Sequence, residues 1–346
     1  MQIITGADAY SALRRNRAGW WARHEPDTPP AASRTRKAFF KARVTPKFQL
    51  SLDDRIFTIG SCFARHIERH LSNFGYKFET LNPQFHLTPE ECTSPQGFFN
   101  RFTTHSMLND LRWGLGLAEF PEASYFQDEK GRWQDGQLPA SFASKERALE
   151  IRRNVQFVTS AVGYGNVMVL TLGLVEAWYD NELKLYLNVA PPQQVVSASP
   201  GRYSLHILDY KSNYEALAEI YDIVKAASPD IKFIVTVSPV PLGATFSGQD
   251  VAVANSYSKS TLRAVAGDFA AANKEVQYYP SYEMVTESTP LGAWMPDAVH
   301  VNTEMVECVI TYFLSIFLPK DEAAKVDLAA PEARLKALVA AGGHVA

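Results

Sequence analysis

From Arg55 onward, short continuous apolar runs alternate with stretches whose apolar residues recur every three or four positions. The run "RIFTIG" (55–60) is rich in β-branched and aromatic residues, as suits a strand buried on both faces. It is followed at once by "FARHIERHLSNFG", where Phe63, Ile67, Leu71 and Phe74 fall at helical spacing and Gly75 is the stop. The alternation continues. "VMVLTLGLVEAWY" (167–179) predicts a strand that breaks at Gly173, and residues 214–229 predict an amphipathic helix ending in Ser-Pro. "IKFIVTVSPVP" (231–241) reads as a second buried strand, residues 255–273 as a helix, and "VQYYPSYEMV" (276–285) as a strand. The last helix, expected over 300–318, carries Val306, Val309, Ile310, Phe313 and Phe317 on one face. Strands alternating with helices predict βαβ units, a parallel sheet and right-handed crossovers.

Four segments stand outside this rhythm and set the expected organisation. Residues 1–50 are polar and basic, with a Pro/Ala/Ser/Arg stretch at 26–37, and read as an extension anchored by Trp20 and Trp21. Residues 81–150 and 180–212 are rich in Pro, aromatic and polar residues and read as insertions in one domain spanning 51–319. Residues 320–346 read as a short Ala-rich helical tail, and no internal repeat occurs.

Composition narrows the function classes. With Lys+Arg 34 against Asp+Glu 37, the net charge of -3 points to neither nucleic acid nor an anionic membrane as partner. Cys62, Cys92 and Cys308 are scattered and odd in number, without CxxC or Cys/His spacing, so neither a disulfide framework nor a metal site is expected. The N-terminus lacks a basic, apolar and small-residue leader pattern, and no apolar run reaches the roughly 18 residues that span a bilayer. The expectation is a cytoplasmic protein without a membrane span and without a cofactor.

Open parallel sheets bind ligands at the carboxyl ends of their strands. The first such end is Gly60-Ser61-Cys62, where a serine at a strand-to-helix turn projects its hydroxyl beside helix N–H groups able to stabilise an oxyanion. Serine is also a favoured N-cap, so the turn could be structural only. Cys62 is the competing nucleophile, since a thiol at a helix start can ionise more readily; the residue after such a turn more often faces the core, which favours Ser61. Near the last helix, "MPDAVHVN" puts Asp297 three residues before His300, close enough for the carboxylate to orient the imidazole. His66 and His70 stand four apart on a helix but lack a third ligand, and Arg101, His105, Trp113 and Trp133 read as fold residues by default. Trp178 and Trp294 carry more weight as sugar-stacking surfaces because each lies close in sequence to a site candidate.

The opening motif "TIGSCFARHIERHL", together with "LTLGLVEAWYD", "TVSPVPL", "NSYSKSTL" and "PDAVHVN", resembles the GSCFA family of the SGNH/GDSL hydrolase-like superfamily over roughly residues 45–318. The resemblance implies a three-layer α/β/α sandwich with a mainly parallel, flavodoxin-like sheet, and ester chemistry with Ser61 as nucleophile, His300 as base and Asp297 as its orienter. The expected oxyanion donors are the backbone N–H groups of Ser61 and Gly173, Gly60 easing the approach. One departure stands out: the superfamily has an asparagine two residues after the third-motif glycine, whereas here Gly173 is followed by Leu174, Val175 and Glu176. An ionised Glu176 only accepts hydrogen bonds, so Asn82 or Asn100 is the alternative side-chain donor. The implied substrates are an acyl donor and a small molecule, polysaccharide or glycoconjugate, acted on by an esterase or O-acyltransferase. The competing reading is a non-catalytic carbohydrate-binding or assembly module that keeps the fold.

Overall fold

The structure is a computed structural model that describes residues 3–23, 28–81, 86–92 and 97–343. It divides into two compact units, residues 1–45 with 280–346, and residues 46–279. The first begins with helices α1 (Gly6–Arg15) and α2 (Ala31–Arg34), neither of which buries a residue. Trp21 is 67% exposed, so it does not anchor this stretch as the sequence suggested.

The second unit holds the sheet. Strand β1 (Ile56–Gly60) leads into α3 (Cys62–Ser72); α4 (Thr104–Gly114) and a small hairpin of β2 (Tyr125–Gln127) and β3 (Trp133–Asp135) follow, then α5 (Lys145–Ser160) and β4 (Val167–Leu172). The strand expected over 167–179 breaks at Gly173 as the sequence predicts, and its two parts belong to different sheets. After Gly173 the chain leaves the main sheet, and β5 (Glu176–Asp180) pairs antiparallel with β6 (Leu185–Leu187) and, beyond α6 (Gln193–Ala198), with β7 (Tyr203–Ile207). An amphipathic α7 (Tyr210–Ala227) leads to β8 (Lys232–Val237), and α8 (Val251–Ala272) to the short β9 (Val276–Tyr278).

The main sheet is parallel in the order β1-β4-β8-β9, with Ile56 opposite Val167 and Val167 opposite Lys232. Every residue of β1 and β4 is buried, as their unbroken apolar runs require. Helix α3 packs on β1 and β4, α8 on β8 and β9, and α7 on α4 and α8. A mainly parallel central sheet flanked by helices agrees with a three-layer α/β/α fold. A flavodoxin-like sheet runs 2-1-3-4-5. Here the place beside β1 is held by a single parallel bridge, Gly60 to Asn100.

That bridge belongs to a segment fixed by buried charge. The Arg101 Nε bonds Asp110, its Nη1 donates to the Asn100 carbonyl (2.7 Å), and Arg152 joins Asp110 (3.0 Å) to Asp135 (2.7 Å). All four charged side chains are buried, which is tolerable only because each is paired. Phe98 and Leu138, from residues 81–150, form a hydrophobic cluster with Cys92 and with Ile151 and Val155 of α5.

In the first unit, residues 36–42 run as a strap. The Arg36 N–H donates to Glu287 O (2.6 Å), the Phe40 N–H to Ser288 Oγ (2.8 Å), and Tyr312 Oη to Ala42 O (2.9 Å). The expected strand 276–285 stops at Tyr278 and turns into helix α9 (Ser281–Thr286) after Pro280. Two more helices follow, α10 (Pro290–Ala293) and α11 (Thr303–Phe317), the latter burying Val306, Val309, Ile310, Phe313 and Phe317 as its periodicity predicts. The tail forms α12 (Lys320–Ala323) and α13 (Ala329–Ala340), whose Leu335 is fully buried and which packs on α10 and α11.

Candidate functional site

Ser61 lies in the second unit and the Asp297–His300 pair in the first. At the carboxyl end of β1, Gly60 adopts φ 144° and a Cβ there would lie 2.3 Å from the Thr171 carbonyl oxygen. Only glycine lets β1 approach β4 so closely while turning into α3. Ser61 is then the N-cap of α3, its Oγ accepting from the Phe63 N–H at 3.3 Å. This long bond lets the hydroxyl cap the helix and still keep its own proton to donate. The Ser61 N–H, expected among the oxyanion donors, instead continues the sheet by donating to Thr171 O (3.3 Å).

Residues 100–102 cross these strand ends. The Arg101 N–H donates to Gly60 O (2.8 Å), and Phe102 O accepts from the Leu174 N–H (2.8 Å). Asn100 is thereby held beside Gly60, and its side-chain oxygen is buried without a hydrogen-bond partner, so this amide has no evident part in holding the fold. Gly173 lies under the same segment, where a Cβ would come within 2.6 Å of Phe102 O. Its N–H bonds no backbone group among the described residues. Of the two asparagines singled out by sequence, Asn100 is thus beside the serine turn, and Asn82 lies outside the described residues.

Glu176 has a different occupation. Its carboxylate accepts from the Thr245 hydroxyl and from the Phe246 N–H (3.0 Å), tying the β8–α8 loop to the start of β5. The Trp178 ring meets Phe246 edge-on at 5.3 Å, with a buried, unpaired indole N–H, while Phe246 itself is exposed. Glu176→Gln should loosen this loop by about 1–2 kcal/mol, the range for an imperfectly replaced charged hydrogen bond. Faster chymotryptic cleavage after Phe246 would register it, and an unchanged cleavage rate would contradict it.

The Asp297–His300 segment is a tight loop. Trp294 and Val301 form an antiparallel bridge, the Met295 N–H donates to His300 O (2.8 Å), and Ala298 adopts a left-handed φ of 54°. This reversal returns His300 to Asp297. One Asp297 oxygen accepts from the Val299 and His300 N–H groups (2.9 and 3.0 Å), and the other meets His300 Nδ1 at 2.6 Å. The His300 ring hydrogen bond, helped by both backbone donors, holds the Asp297 carboxyl down at about 2. The imidazole is 69% exposed, with Nδ1 committed to Asp297.

The remaining candidates are structural. Arg101 is wholly buried against Asp110, Trp113 packs edge-on against Phe120, and His105 packs against Tyr186 with burial lowering it to about 4. His70 Nδ1 lies 3.0 Å from His66 O, a helix-internal contact, and no metal-binding cluster occurs among the described residues. Burial pushes the Cys62 thiol up, with Lys259 as the opposing charge, which disfavours a thiolate nucleophile. Lys259 is the residue that sequence reading passed over: nothing in "NSYSKSTL" marks a lysine as buried, yet it is completely so.

No helix among the described residues is long and apolar enough to cross a membrane. A search of the curated proteins and one of the solved structures gave no match. The model of the GSCFA family matches residues 55–313, a span that includes the serine turn, the Gly173 loop and the Asp297–His300 pair. Since that match covers most of its length, the chain belongs to the GSCFA family.

Proposed function

We propose that the chain is a serine-dependent acyl-ester enzyme of the SGNH type, an esterase or O-acyltransferase acting on a carbohydrate or glycoconjugate. The observation that carries this reading is the 2.6 Å contact between His300 Nδ1 and Asp297, which fixes the imidazole tautomer and leaves Nε2 for a hydroxyl. Ser61 Oγ attacks the ester carbonyl as His300 takes its proton. The oxyanion is met by the Gly173 N–H and the Asn100 amide. His300 returns the proton to the leaving alkoxide, and the acyl-enzyme is released to water by an esterase or to a sugar hydroxyl by a transferase. The exposed Phe246 beside Trp178, at the loop joined to Glu176, supplies an aromatic surface of the kind that stacks on sugar rings.

A fluorophosphonate probe tests the reading. Peptide mapping is expected to place the adduct on Ser61, with none on Ser61→Ala, while Cys62→Ala is labelled within about threefold of the parent rate, the thiol being outside the mechanism. Iodoacetamide should leave p-nitrophenyl acetate turnover unchanged near pH 7. An unlabelled Ser61, with sugar binding retained, would make the protein a binding module instead.

A further inference from the structure

The loop that leaves β4 has nearly every backbone group assigned. Leu172 O accepts from the Ser238 N–H (2.8 Å), Gly173 O from Lys259 Nζ (2.8 Å), the Leu174 N–H donates to Phe102 O (2.8 Å), and the Val175 N–H to Ser258 Oγ (3.2 Å). Buried backbone groups require partners, so the group left over is informative. At the buried residues of the loop that group is the Gly173 N–H; the carbonyl of the half-buried Leu174 also has no bond among the described residues. Its direction follows from the strand: Thr171 O bonds the β1 side through Ser61, Leu172 O bonds the β8 side through Ser238, and Gly173 returns to the β1 side, where Ser61 follows Gly60.

Two consecutive residues of α8, Ser258 and Lys259, hold this loop, and Lys259 is the unusual one. It is fully buried, it belongs to none of the ion pairs among the described residues, and its bond is to one carbonyl. Burying an ammonium with a single neutral acceptor costs several kcal/mol, and a methionine would fill the space without that cost. Burial lowers it to about 7, the nearby Cys62 sulfur opposing the drop. In either protonation state the amine can still donate to Gly173 O.

We propose that Lys259 is a positioning residue of the ester site: by tethering the Gly173 carbonyl it fixes the loop so that the Gly173 N–H is presented to the oxyanion formed at Ser61. This rests on the reading of Ser61 as nucleophile. The adjacent peptide is thereby pinned at both ends, by Lys259 on its carbonyl and by Phe102 on the Leu174 N–H. Without the tether, a glycine is free to rotate its peptides and withdraw the donor.

Lys259→Met keeps the bulk and removes the donor, and Lys259→Gln keeps a donor on a shorter stem. For Lys259→Met, kcat on p-nitrophenyl acetate and the fluorophosphonate labelling rate of Ser61 are expected to fall about 10- to 100-fold, with KM within about threefold, less than the roughly 10²–10³ that outright removal of an oxyanion donor costs, since the donor is displaced and not deleted. Lys259→Gln should fall between, about 3- to 10-fold down, and exchange of the Leu174 amide should quicken in the same order. A merely structural lysine would lower the melting temperature but not split kcat from KM in this graded way. Wild-type labelling and exchange in a folded Lys259→Met overturn the proposal. If Lys259→Met gives no cooperative melt, wild-type rates in Lys259→Gln do the same. If the parent protein is never labelled, the ester reading has failed, and Leu174 exchange in Lys259→Gln against the parent still decides the tether.

Discussion

Asp297→Asn is expected to lower kcat on p-nitrophenyl acetate by about 10⁴-fold while leaving the fold intact, the magnitude seen when a triad aspartate loses its charge. The reason lies in the two oxygens of Asp297. One caps the loop by accepting from Val299 and His300 N–H groups, a task an asparagine oxygen can perform. The other faces His300 Nδ1, where an asparagine would present its NH₂. A donor there forces the ring proton to Nε2, so the ring loses the basic nitrogen that the proposed mechanism requires. His300→Ala should match this loss. A melting temperature near that of the parent, with activity within tenfold, would remove Asp297 from the mechanism. The pH response follows with its sign. The folded Asp297 is depressed to about 2 from an unfolded value near 3.9, so the contribution of its carboxylate is complete above that unfolded value and is lost as pH falls towards about 2. Any loss of activity between pH 5 and 7 therefore has another source than Asp297.

Gly60→Ala is the substitution expected to damage the fold most, by about 4 kcal/mol or more. A methyl group at this position meets Thr171 O at 2.3 Å and Thr171 Cβ at 2.8 Å, and the φ of 144° is itself unsuited to alanine. Neither neighbour can give way, since Thr171 is a fully buried residue of β4, paired with β1 on one side and β8 on the other. Gly75→Ala is the control: its φ is 95° but nothing lies within 4 Å, so about 1–2 kcal/mol of backbone strain is all that is expected. Thermal melts compare the two directly, each kcal/mol being worth roughly 2–4 °C in a chain of this size. A Gly60→Ala protein melting within about 3 °C of the Gly75→Ala variant would show that β1 and β4 can separate there at little cost.

Much of this molecule is written locally. The apolar runs of β1, β4 and β8, the periodic face of α11, the Ser61 cap and the Asp297–His300 spacing each depend on residues a few positions apart, and sequence periodicity reports such neighbours. The limits were equally physical. An apolar run from 167 to 179 does not reveal that the chain changes sheets after Gly173, because both halves bury apolar side chains. Glu176 stands just past the position where the resemblance led one to expect an asparagine donor, and only its acceptance of hydrogen bonds from Thr245 and Phe246, some seventy positions on, gave it a part in holding a loop.

By itself, the sequence determined an α/β chain, its family resemblance and the residue types able to perform acyl transfer. The tertiary structure alone decided the company those residues keep: Asn100 set beside Gly60 by the Arg101–Asp110 pair, the Ser61 N–H taken by Thr171, and Lys259 on the Gly173 carbonyl. These are contacts between segments tens of positions apart, fixed by strand order and packing, and no local pattern encodes them.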